Sequence, residues 1–200
     1  LNDLNGVLLQ GHIKISDPES GNVIVDKRNA IHYENMSISL AESLGNGGTG
    51  WIYEMSFGNG GTSVDPTGII TYLTPNSTGT NASLYNQTYT KVIDDRSVNN
   101  VDPIRNKIET RHISGTNYTD ILVSCLLDYG EPSGQDAFDN ATDEASSFIF
   151  DELGLRAYSS TGTGRLLTHV IFHPVQKSLN RLIQVDYTVR VQSLSGFNEV

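Results

Sequence analysis

The sequence predicts an all-β, mainly antiparallel chain: a β-sandwich or jelly-roll-like domain with one amphipathic helix and long loops. Three observations carry that expectation. Residues 183–192 alternate strictly, with Ile183, Val185, Tyr187, Val189 and Val191 on one face and Gln184, Asp186, Thr188, Arg190 and Gln192 on the other. That period of two belongs to a ribbon with one buried face. Nineteen Gly stand among abundant Ser, Thr and Asn, a composition that favours many turns over long helices. Helical spacing shows in one stretch only.

Taken in order, residues 12–16 and 23–25 form a hairpin across the turn-rich DPESGN at 17–22. Met36, Leu40 and Leu44 recur every fourth residue, with Ala41 beside them. They predict a helix over about residues 34–44, closed by Gly45 as a left-handed cap. WIYEMSF at 51–57 places Trp51, Tyr53, Met55 and Phe57 on one heavy strand face. A Gly- and Asn-rich loop follows to residue 68, then a strand at 69–73. Residues 74–87 lack periodicity and read as an exposed excursion, long enough to imply function or flexibility.

Further strands are expected at 89–93, 104–113 and 118–129, the last two joined by the tight turn SGTN at 114–117. Ile121, Val123, Cys125 and Leu127 face one way and Leu122 and Leu126 the other, as in a central strand. Residues 130–147 are acidic and rich in small residues, either an ordered loop or a helical turn near 135–140. A strand at 148–155 and a turn at 159–164 lead to the C-terminal pair. There residues 166–173 are more uniformly apolar than the strand that follows and suit a strand covered on both faces. Pro174 then breaks the chain before the alternating strand, and the two are expected to close a hairpin. The whole, 1–200, reads as one domain, with residues 1–45 as an alternative hairpin-plus-helix arm.

Charge narrows the function. Thirteen Lys and Arg face 23 Asp and Glu, a formal charge of −10, and no basic cluster offsets it locally. Such a surface repels phosphate backbones and anionic membranes, so neither nucleic acid nor membrane is expected as a partner. The chain shows no signal peptide and no apolar run approaching the ~20 residues of a membrane span. A soluble protein made in a cytoplasm is expected. Cys125, the single cysteine, lies in an apolar run and reads as a small buried hydrophobe.

Candidate chemistry is sparse. His169 and His173, four apart in a strand, would sit ~13 Å apart, too far for one ion; His12, His32 and His112 are scattered. FGNGGTS resembles a phosphate cradle, but Thr62 stands where a Walker loop needs Lys, and a strand follows where a dinucleotide fold needs a helix. Its glycines read as a turn or a close backbone approach. Asp136, Asp139, Asp143 and Glu144 would gather on one helical face without the pattern of a calcium loop. Asp94 and Asp95 with Glu109 are the one carboxylate set that a glycosidase reading can use. No Ser stands in a G-x-S-x-G elbow. Six Asn-x-Ser/Thr sequons (Asn35, Asn76, Asn81, Asn86, Asn117, Asn140) follow from a surface rich in those residues. The expectation is a non-enzyme, with no catalytic, cofactor-binding or metal residue and no cofactor.

Three runs carry a family resemblance: VIVDKRNAIHYENMSISLAESL, WIYEMSFGNGGTSVDPTGIITYLTPN and ELGLRAYSSTGTGRLLTHVIFHPVQKSLNRLIQVDYTVRV. They resemble virion structural proteins of tailed bacteriophages, contractile-tailed ones above all. The cadence E-L-G-L, L-L-T-H-V, V-Q-K, L-I-Q-V-D-Y-T-V is also similar to a module of tail-collar and fibre-attachment proteins, in which a strand, a short turn and a final hairpin follow one another. The resemblance spans most of residues 10–192. It implies a virion component present in many copies and does not separate neck, tail, baseplate and capsid surface. The expectation adopted is the neck or collar, tail or baseplate, with a role in anchoring fibres and assembly in the host cytoplasm. It supplies no active-site residues. Copies of itself and other virion proteins are the implied partners. Tyr72, Tyr85 and Tyr89 are the expected contact residues, because Tyr is enriched in interface cores. Two alternatives stand beside this: a capsid decoration protein, and a glycan-binding adhesin module stacking sugar on Trp51 or on tyrosines 72–89.

Overall fold

A computed structural model describes residues 6–132 and 147–194. The acidic residues Asp136, Asp139, Asp143 and Glu144, the turn expected near 135–140 and the Asn140 sequon lie outside the described residues. Within them the elements run β1 (Gly6–Ser16), β2 (Val23–Ile31), α1 (Tyr33–Leu44), β3 (Ile52–Gly58), β4 (Thr62–Val64), β5 (Ile70–Tyr72), β6 (Gln87–Val92), β7 (Lys107–His112), β8 (Tyr118–Leu127), β9 (Ser147–Ala157), β10 (Thr168–Ser178) and β11 (Ile183–Leu194).

The fold is all-β and antiparallel. Nine strands form one sheet in the order β6-β3-β9-β10-β2-β1-β11-β8-β7, and β4 and β5 form a separate two-stranded ribbon. At its middle the sheet is held by only two residue pairs, Thr168 with Ile31 and His169 with Ala30. There it curls, so that the two halves face each other as in a sandwich. Ile13, Val123, Val185 and Tyr187 from one half pack in the same core as Met55, Phe57, Phe150 and Leu155 from the other. Across the open side Lys91 of edge strand β6 reaches the Leu126 carbonyl of β8 at 2.7 Å. Alternation explains the inward set: β11 buries Ile183, Val185, Tyr187 and Val189, and β1 buries Ile13 and Ile15.

The C-terminal hairpin does not form. β11 pairs with β1 along its length on one side and with β8 on the other. β10 instead pairs with β9 and touches β2. Both of β11's hydrogen-bonding edges are therefore taken, and β10, apolar on both faces, gains cover in the other half of the sandwich. The four residues 179–182 cross between the halves. Pro174 is not a break either. β10 runs through it, and its ladder to β9 is irregular between Ile171 and Val175, so the missing Pro N–H falls where no ladder bond is required.

The helix forms where expected but rests on a different face. Asn35, Met36 and Ser39 are buried, Leu40 is half-buried, Ala41 is exposed and Leu44 is 88% exposed. Only the first two turns sit on the sheet; the last projects past it. His32 caps the N-terminus, its Nδ1 accepting from the Asn35 amide at 3.2 Å. Gly45 has φ −78°, and the left-handed residue is Asn46 at φ 53°. Of Trp51, Tyr53, Met55 and Phe57 only Met55 and Phe57 enter the core, and Trp51 precedes β3. A register shift between Ile52 and Glu54 brings Ile52 against the core instead, and Trp51 and Tyr53 pack on Tyr158.

Candidate functional site

The densest polar arrangement is built on Asp151 and Glu152, adjacent in β9 and both buried. The Gly-rich turn after β3 folds over them and aims its amides at their carboxylates. Gly61 and Thr62 N–H donate to Asp151 at 2.9 and 2.8 Å, and the Thr62 hydroxyl donates to it as well. Glu152 Oε1 accepts from the amides of Gly60 at 3.0 Å and Asn86 at 2.8 Å. Its Oε2 accepts from the Tyr85 amide at 2.9 Å and from His169 Nε2 at 2.9 Å. His169 Nδ1 in turn accepts the Asn76 amide at 2.8 Å. That bond puts the ring proton on Nε2, so a neutral imidazole donates to an ionised carboxylate. The turn requires glycine for proximity: a Cβ at Gly60 would lie 2.7 Å from the Asn86 nitrogen.

The electrostatics follow from this geometry. Burial works to raise the Glu152 pKa, but the hydrogen bonds from His169, Asn86, Tyr85 and Gly60 outweigh it and hold the carboxyl below its ordinary range. At Asp151 burial prevails over its bonds from Thr62 and Gly61, and the carboxyl is raised. With four donors on two oxygens, Glu152 has no lone pair left for acid–base work. The cluster is an anchor, tying the turn at 58–62 and the loop at 76–86 to β9 and β10. The cradle seen in FGNGGTS thus does bind anions, but they are the chain's own carboxylates. Residues 74–87, expected as a free excursion, are held down by these bonds and by the buried Leu84.

A second buried cluster closes the seam beside β6. Lys177 Nζ donates to the carbonyls of Asp128, Glu131 and Ser178 at 3.0, 2.7 and 2.7 Å. Lys91 pairs with the Glu131 carboxylate. Burial of Lys177 brings its pKa down from 10.5 to about 8. Unfolding between those values therefore takes up a proton, and stability rises with pH across that interval. Cys125, pushed up by burial from 9.0 to about 12, acts in the opposite sense above pH 9. Denaturation midpoints are accordingly expected to climb from pH 8 to 9 in the native chain and to stay level in Lys177→Met. Equal slopes in both would remove Lys177 as the cause.

The third feature is the link from β6 to β7, residues 93–106. Asn100 Nδ2 donates to the Asp94 and Asn106 carbonyls at 3.2 and 2.8 Å. Asn106 Oδ1 accepts the Leu126 amide at 2.8 Å. Both asparagines are buried. On this pinned backbone Val98, Val101 and Ile104 stand 98%, 85% and 82% exposed.

The remaining sequence candidates are placed as follows. Asp94 is buried, accepting from Trp51 Nε1 at 3.0 Å and from Arg96 Nε at 3.1 Å, whereas Glu109 lies exposed on β7 beside Lys107. No contact joins them, so the glycosidase pairing is not assembled. His173 is exposed, with Nδ1 3.2 Å from the Tyr72 hydroxyl, away from the buried His169. Among the described residues no three His, Cys, Asp or Glu are grouped to hold a metal. Trp51 is half-buried and stacked on Tyr158 at 4.5 Å, so one face is unavailable to a sugar. Tyr72 and Tyr85 are exposed, while Tyr89 packs on the core. Sequence reasoning missed Glu152 as a hub; its one signal was an acidic pair inside the apolar run FIFDELGL. No protein-family model, curated protein or solved structure matches the chain.

Proposed function

We propose that the chain is a non-enzymatic structural subunit of a tailed-phage virion, present in several copies in the neck or collar, tail or baseplate. The runs quoted above support the class of particle. The observation that carries the assembly role is the rigid presentation of Val98, Val101 and Ile104 on the 93–106 link. Exposed aliphatics on a loop held by buried asparagines contribute nothing to the isolated subunit. Burying each against a neighbour would return about 1.5–3 kcal/mol before the costs of association. With a charge of −10 per copy, subunits repel one another, and apolar contact is what offsets that repulsion.

Light scattering across a concentration series tests the reading on the native chain and on a Val98→Ser/Val101→Ser/Ile104→Ser variant. The native chain is expected to form a closed oligomer of fixed stoichiometry or to bind isolated phage tails. The variant is expected to stay monomeric with an unchanged thermal transition. A native monomer that binds no tail component sinks the proposal, and binding to purified capsids alone replaces it with a decoration role.

A further inference from the structure

We propose that the hollow between α1, residues 80–83 and residues 156–165 is a binding site for a neutral saccharide. The inference is independent of the assembly reading. The hollow measures about 870 Å³, within the ~300–1,000 Å³ range of small-molecule sites. Its floor is the guanidinium of Arg156, 3% exposed. Arg156 Nε donates to Ser56 Oγ and Gln87 Oε1 at 3.0 and 3.1 Å, and Nη2 donates to Ser83 Oγ and Gln87 Oε1 at 2.7 Å each. Nη1 donates to the Gly164 carbonyl at 2.9 Å. At the rim Arg165 directs Nη1 at both oxygens of Glu42, at 2.9 Å each.

Charge decides the ligand class. The charged groups lining the hollow are Arg156, Arg165 and Glu42. Arg165 is paired with Glu42, and behind the lining Glu54 stands opposite Arg156 in the β3–β9 register. Two cations and two anions leave no net charge to hold a phosphate or a uronate, and the surrounding chain is strongly acidic. What remains is a dense set of neutral donors and acceptors, among them Asn81, Ser83 and Thr163, each able to serve a sugar hydroxyl in either sense. Tyr158 supplies the apolar part of the wall. Its ring is held by stacking on Trp51, which covers one of its faces, and by a T-shaped contact with Tyr53 at 5.1 Å, so little side-chain entropy is lost on binding.

Trp51, the only tryptophan, reports on this wall. The intact chain would be titrated with neutral oligosaccharides (maltotriose, cellotriose, chitotriose and an oligomannoside), and separately with hyaluronate and inorganic phosphate, following Trp51 fluorescence. A saturable change with at least one neutral sugar, and none with hyaluronate or phosphate, is expected. Asn81→Ala/Thr163→Ala, at two exposed positions, is expected to weaken that binding about 10-fold or more with the thermal transition unmoved. Silence across the neutral panel overturns the proposal. So does equal binding by the double variant, or tighter binding of hyaluronate or phosphate.

Discussion

Glu152→Ala is expected to lower the unfolding free energy by about 3–5 kcal/mol, the cost of breaking a buried, hydrogen-bonded charge network from one side. The carboxylate accepts three backbone amides and His169 in a fully buried position. Removing it leaves those donors without acceptors, and each buried orphan carries its own desolvation penalty. Glu152→Gln is expected to rescue little. Its amide oxygen can serve Gly60 and Asn86, but its NH₂ then meets the Tyr85 N–H and the His169 Nε2–H, donor against donor. Chemical denaturation reads the global loss. Hydrogen exchange at the amides of Gly60, Tyr85 and Asn86 reads the local release, which should exceed that in β11. A loss under about 1 kcal/mol would show that water replaces the carboxylate and that the anchor is dispensable.

The same residue sets an acid sensitivity. Its folded pKa lies below the ordinary 4.5, so its contribution is present above pH 4.5 and is lost as pH falls through the folded value. Asp151, raised above 3.8, has the opposite sign: its stabilising contribution is present below 3.8 and is lost as pH rises through the folded value. The difference between native chain and Glu152→Ala isolates the first effect. That difference should shrink as pH drops below 4.5.

Gly154→Ala is the second large effect, expected at about 3 kcal/mol, the upper part of the usual cost of overpacking. A Cβ on Gly154 would lie 2.3 Å from the Thr168 carbonyl oxygen and 2.6 Å from Leu166 Cδ1. The first is backbone of the adjacent chain. It cannot yield without disturbing the bond from the Leu167 amide to the Leu155 carbonyl at 2.8 Å, or that from the Leu155 amide to Thr168 Oγ1 at 3.0 Å. Gly115→Ala is the control. It sits at φ +86° with nothing within 4 Å of its Cβ, so it pays only the left-handed backbone cost of roughly 1–2 kcal/mol. Thermal denaturation of the two separates overlap from backbone strain; equal shifts would mean that the β9–β10 junction yields.

The sequence by itself determined most of the strands, because side-chain alternation depends only on residues two apart. Its pattern reads β4 (Thr62–Val64) as loop and ends β2 at Val25, six residues short of Ile31. Ile183 to Val191 showed their buried face in that way, and Val123, Cys125 and Leu127 showed theirs. It also determined the two local hairpins, β1–β2 and β7–β8, whose turns are short and carry their own residue preferences. The extent of α1 was legible from its spacing, but not the face it buries, since that depends on where the sheet ends beneath it. Only the tertiary structure decided that β10 and β11 part company. The adjacent segments look like natural partners, and what separates them is the insertion of β1 and β2 from the other end of the chain. Only it decided, too, that the glycine run at 58–61 serves Asp151 and Glu152. The partners of Glu152 stand at positions 60, 85, 86 and 169. A carboxylate in an apolar strand looks like an error until amides from that far along the chain arrive to bond it. Hydrogen bonds act over about 3 Å, so whether a buried charge is paired is settled by distance in space, which the order of residues does not record.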